Sequence, residues 1–173
     1  MNADSLKLAV KEKYSLIANQ SLLNQETSCC GSDSCCGELE INMIGDEYEG
    51  IEGHVADADF GLGCGIPTQY AGINAGDSVL DLGSGAGNDC FIARSIVGEN
   101  GSVTGLDFTE AMIAKAWENN QKLGFTNVHF VQGDIENMPL PDNSFDVVVS
   151  NCVLNLVPDK AKAFAEMWRV MKP

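Results

Sequence analysis

Basic residues are scarce in this chain. Ten lysines and arginines stand against 25 aspartates and glutamates, giving a formal net charge of −15. A surface this acidic repels phosphate, which argues against nucleic acid and anionic membrane surfaces as partners. Long apolar runs are lacking as well. The opening stretch MNADSLKLAVKEKY contains no apolar segment of signal-peptide length, and no run approaches the roughly 18–20 apolar residues of a membrane span. The expected location is the cytoplasm. Histidine is nearly missing: His54 and His129 are the only two, and neither belongs to a motif. Internal repeats are absent.

Cysteine, by contrast, is plentiful. There are seven, and in a reducing compartment they are expected to be thiols rather than structural disulfides. Their odd number rules out a fully paired framework. Cys29, Cys30, Cys35 and Cys36 form two adjacent pairs within TSCCGSDSCCGE. Adjacent pairs do not match the CxxC spacing of a zinc knuckle, so no metal site is assigned. The readings for the cluster are an accessory role in soft-ligand capture, redox cycling, an ordinary tail and, against that spacing, a zinc site.

The chain divides into an N-terminal part, 1–50, and a regular part, 51–173. In residues 5–18, Leu6, Val10, Tyr14 and Ile17 recur at helical spacing and predict an amphipathic helix. Residues 19–50, with the cysteine cluster and the acidic tract GDEYEGIEG, read as a loop or lid. From residue 78 short apolar segments alternate with helical ones: SVLDLG, NDCFIARSIVG, SVTGLD, TEAMIAKAWENNQKLG, NVHFVQGD, SFDVVVSN and DKAKAFAEMWRVMK. Thr109 and Asp159 sit at helix starts, and Gly98 and Gly124 at helix stops. This is the rhythm of βαβ units, hence an α/β fold with a parallel sheet and helices on both faces.

VLDLGSGAGND (79–89) is a strand, a glycine turn and a helix start. Gly83, Gly85 and Gly87, with Ser84 between them, let a ligand approach backbone at a helix N-terminus. A dinucleotide fingerprint wants glycine or alanine at 88, where this chain has Asn88. Asp81 stands two residues before the first glycine and suits a cationic amino group better than a pyrophosphate. Asp107 ends the second strand, followed by Phe108, where an acid accepts from both ribose hydroxyls. Asp134 follows the third strand and is expected to accept from an adenine amino group, with Ile135 covering the ring. Ribose, adenine and an amino-acid head together make S-adenosylmethionine, the expected cofactor.

VLDLGSGAGND, VTGLDF, GDIENMPLPDNSFDVVVSN and EMWRVMKP resemble the successive motifs of Rossmann-like class I S-adenosylmethionine-dependent methyltransferases. GLGCGIPT and SNCVLNLVPDK further resemble arsenite methyltransferases. That resemblance implies that Cys64 and Cys152 are the catalytic ligands of trivalent arsenic, which is soft and takes thiolates. With strand order 3-2-1-4, Asn151 and Cys152 leave the fourth strand at the crevice where cofactor binds, and Cys64 lies in a segment free to fold over it. Methyl transfer is then direct, to the arsenic lone pair. The four clustered cysteines become accessory arsenic or redox residues, with thioredoxin or glutathione as reductant. Cys90 reads as core filler. The alternatives are a methyltransferase for a small organic acceptor and a non-catalytic, thiol-rich arsenic- or metal-binding protein.

The resemblance also implies strands beyond RVMKP and a further arsenic-ligating cysteine, neither of which matches any residue here. The expectation is a sheet truncated after the fourth strand and its helix. Its exposed apolar edge strand would favour self-association.

Overall fold

Four short strands, β1 (Ser78–Leu82), β2 (Ser102–Asp107), β3 (Val128–Gln132) and β4 (Val147–Ser150), form one sheet in the order β3-β2-β1-β4. All pairings are parallel. The parallel direction is the one the alternating pattern predicts, and the order is the one the resemblance implies. The computed structural model describes residues 3–24, 50–60 and 65–173. Cys29, Cys30, Cys35, Cys36 and Cys64 therefore lie outside the described residues, as does most of the expected loop 19–50.

Side chains alternate across a strand, so β1 feeds two cores. Val79 joins Cys90, Phe91, Val97, Val103, Ala116 and Phe130 on the face covered by α2 (Asn88–Val97) and α3 (Glu110–Leu123). Leu80 and Leu82 join Leu106, Phe145, Ala163 and Val170 on the face covered by α4 (Lys160–Val170). Helices thus sit on both faces. Burying each large side chain completely stabilises by ~1.5–3 kcal/mol, the same apolar driving force on either side.

Helix ends follow local chemistry. Asp159 caps α4 by accepting from the Lys162 amide at 3.0 Å. Gly98 and Gly124 close α2 and α3, their amides donating to the carbonyls of Arg94 and Asn120. Thr109 occupies the cap position of α3, but its side chain makes no capping bond; it serves Asp107 instead.

The first helix, α1 (Ala3–Asn24), runs six residues beyond the expected stop at 18. Its stripe of Leu6, Val10, Tyr14 and Ile17 is half-buried, Ala18 is buried, and the helix packs against α3. At the other edge of the described sheet, β4 is less bare than expected. Met171 bridges to Phe145 and the Lys172 amide donates to the Phe145 carbonyl at 2.9 Å, covering the entry to the strand. Beyond it Val148, Leu154, Phe164, Met167 and Trp168 line an apolar groove, with Trp168 78% exposed. Among the described residues no helix is long and apolar enough to cross a membrane.

Candidate functional site

The carboxyl ends of β1, β2 and β4 meet at one cavity of about 130 Å³. Gly83, Ser84 and Gly85 enter it from the β1 turn, Asp107 and Phe108 from the end of β2, and Asn151 and Cys152 from the end of β4. This is the crevice where open α/β sheets bind ligands, at the point where strand order reverses.

The glycine turn is shaped by its neighbours. Gly83 has φ +75°, and a β-carbon there would lie 2.6 Å from Cγ2 of Val153. Gly87 has φ +99°, and its β-carbon would meet the rings of Phe130 and Phe91 at 2.8 and 3.0 Å. Side-chain-bearing residues avoid this backbone region, so both positions need glycine for conformation as well as space. Gly85 faces open space, leaving a cradle that a ligand can enter. The Gly85 amide donates to Asp107 Oδ2 at 3.0 Å, and the Thr109 amide to Oδ1 at 2.7 Å. Burial pushes the Asp107 carboxyl up from its ordinary range, against those amides, which favour the charged form.

Asp81 is buried behind the turn and does not line the cavity. Its carboxylate accepts from the Cys90 thiol at 3.3 Å. Burial, and then the charge of Asp89, push the Asp81 carboxyl well up. Burial and the Asp81 charge likewise push the Cys90 thiol up, which keeps it a neutral donor. Cys90 is a free thiol, packed in the core as expected, with this polar task added.

Asn151 joins three parts of the site. Its amide donates to the Gly65 carbonyl at 2.8 Å and to Asp89 Oδ2 at 3.0 Å. The next residue, Cys152, has φ +53°, a left-handed conformation uncommon outside glycine. Cys152 is disulfide-bonded, where the reducing compartment predicts a thiol, and its partner lies outside the described residues.

Two expected ligand residues are elsewhere. Asp134 is ion-paired with Lys7 at 2.6 Å, not open to the cavity. Ile135 is buried in the core beneath the α4 face and does not line the cavity either. The physical reason is the turn after β3: an isolated bridge pairs Asp134 with Asn137 and folds Ile135 inward. Sequence reasoning missed Val10, Tyr14 and Asp89, which do line the cavity. Val10 and Tyr14 were visible as one helical face but not as a wall of this site. Burial, and then the Asp107 charge, push the Tyr14 phenol up, so it stays protonated at neutral pH.

The residues present fit a ribose- and amine-bearing cofactor. The cradle at Gly85 is open, the Asp107 carboxylate faces it, and the buried Ser84 hydroxyl finds no hydrogen-bond partner among the described residues. Buried polar groups rarely stay unpaired, so that hydroxyl is a ready ligand contact. Three carboxylates, Asp81, Asp89 and Asp107, surround the turn and suit a cation.

Comparison with known proteins gives the family. Residues 73–173 match a methyltransferase-domain family model. An arsenite methyltransferase of Halobacterium salinarum is 43% identical over 95% of this chain and 44% of its own length. An arsenic(III) S-adenosylmethionine methyltransferase from Chlamydomonas reinhardtii superposes with TM-score 0.57 at 48% identity, over 64% of this chain and 40% of that one. An S-adenosylmethionine-dependent methyltransferase from Aquifex aeolicus superposes with TM-score 0.58 at 35% identity, over 61% and 56%. The chain spans about half the length of the curated relatives it matches. S-adenosylmethionine is the cofactor that the family and these neighbours imply. On the family match and the fold around the glycine turn, the chain belongs to the methyltransferase-domain family, with the Rossmann-like class I architecture.

Proposed function

We propose that this chain carries the catalytic crevice of an arsenite methyltransferase, acting on thiol-bound trivalent arsenic. The observation that carries this reading is the Asn151 clasp. Asn151 directly precedes Cys152, and its amide holds the carbonyl of Gly65, which directly follows Cys64 in sequence. The clasp thus ties the residue before Cys152 to the residue after Cys64 in sequence. Relatives named arsenite methyltransferases support the same acceptor.

Gly83, Ser84, Gly85 and Asp107 hold the cofactor, and the buried carboxylates Asp81 and Asp89 lend it a negative surround. When bound, S-adenosylmethionine supplies an electrophilic methyl group on a cationic sulfur. Two thiolates on one side of the arsenic leave its lone pair facing the crevice, so the protein's contribution is positioning. No general base is required, because bound arsenic carries no proton to lose. A disulfide-bonded Cys152 offers no thiolate, so two electrons from thioredoxin or glutathione must free it first.

The test is calorimetry on the phosphine-reduced chain, titrated separately with arsenite and with S-adenosylmethionine. Cys64→Ser and Cys152→Ser are each expected to lose arsenite binding while keeping cofactor affinity. Unchanged arsenite binding in both variants would overturn the arsenic assignment.

A further inference from the structure

Part of the cavity wall belongs to α1, which supplies Val10 and Tyr14. The same helix is tied down one turn earlier. Lys7 Nζ lies 2.6 Å from Asp134 Oδ2 and 2.6 Å from Glu136 Oε2, partners 127 and 129 residues away. Glu136 is buried, and its other oxygen accepts from the Asp159 amide at 2.9 Å, so the anchor for Lys7 is itself fixed to the start of α4. Burial alone would lower the Lys7 pKa; the hydrogen bonds and charges of Asp134 and Glu136 outweigh it and leave it raised, so the ammonium stays charged.

The cavity, about 130 Å³, is small beside the ~300–1,000 Å³ of ligand pockets. α1 narrows this open-sided cavity with Val10 and Tyr14, so the position of the helix bears on how readily a nucleoside-sized ligand enters. Asp134, the acid that sequence assigns to the adenine amino group, is paired with Lys7 instead.

We propose that Lys7 is a positioning residue of the cofactor site. Its double ion pair holds α1 across the cavity and sets how fast cofactor enters and leaves. This rests on the cofactor reading given above. Two partly exposed ion pairs imply that their loss opens the helix about 3- to 20-fold more often.

The experiment compares the whole chain with Lys7→Met, which keeps helix propensity and length, and with Lys13→Met on the exposed side of the same helix. Amide hydrogen exchange over residues 3–19 is measured without ligand, and stopped-flow binding with S-adenosylmethionine. Lys7→Met is expected to speed exchange across α1 and to raise both association and dissociation rates about 3- to 20-fold, with Kd shifted less than about threefold. Lys13→Met should match the unsubstituted chain, and raised salt should speed the unsubstituted chain but not Lys7→Met. Equal exchange in Lys7→Met and the unsubstituted chain overturns the proposal, as do equal rates. Failure of the unsubstituted chain to bind S-adenosylmethionine sinks the cofactor reading alone, because the exchange comparison still decides whether Lys7 latches the helix.

Discussion

Replacing Gly83 with alanine tests whether the glycine turn and the loop after β4 press on each other. Two costs follow from the geometry. At φ +75° an alanine pays the left-handed penalty of about 1–2 kcal/mol. Its β-carbon, 2.6 Å from Val153 Cγ2, overpacks the contact for a further ~1–3 kcal/mol. The sum, about 2–5 kcal/mol, lowers Tm by about 5–15 °C in a domain of this size. Val153→Ala removes the obstructing methyls, and in the double variant about 1–3 kcal/mol of the Gly83→Ala penalty should return while the backbone part stays. Urea melts of the four proteins give this coupling directly. Strict additivity would show that Val153 does not lie over the turn, and the coupling of the cofactor loop to the segment bearing Cys152 would fall with it.

Asn151→Ala should weaken arsenite binding at least about tenfold, since the clasp to Gly65 is lost, while leaving the fold cooperative in thermal melts; unchanged affinity would remove the clasp from the account. Cofactor affinity should decline on acidification. Burial raises the Asp81 and Asp107 carboxyls; they keep their protons to a higher pH than an ordinary aspartate at ~3.9, and a cation binds best once they have ionised. By the same sign, these two acids favour the ligand-free fold as pH falls through their raised pKa values and disfavour it above them. Asp81→Asn should therefore raise the ligand-free Tm at neutral pH, and the gain should shrink as pH is lowered. The apolar groove beside β4 should drive concentration-dependent self-association in sedimentation velocity, and Trp168→Glu should abolish it.

The framework of the site was legible because it is local. Strand, glycine turn and helix start follow from residues 79–89 alone, and the ends of β2 and β4 follow from apolar runs that stop at Asp107 and Asn151. The rest depended on distant pairs. Asp134 is an acid at a strand end, where a ligand contact is reasonable, but nothing near it in sequence reveals that Lys7 claims it. Asp81 precedes the first glycine as expected, yet strand alternation turns it toward Cys90 and away from the cavity. Thr109 reads as a helix cap because its position is right; its hydroxyl turns to Asp107 because a buried carboxylate is the stronger acceptor. Glu136 lies in an unremarked turn, and its tie between α1 and α4 appears only when both helices have packed.

The most direct test of the arsenic reading is mass spectrometry of arsenic species after the reduced chain is incubated with arsenite and S-adenosylmethionine. Methylated arsenic is expected from the unsubstituted chain and none from Cys152→Ser. Methylated arsenic at the same rate from Cys152→Ser would contradict it.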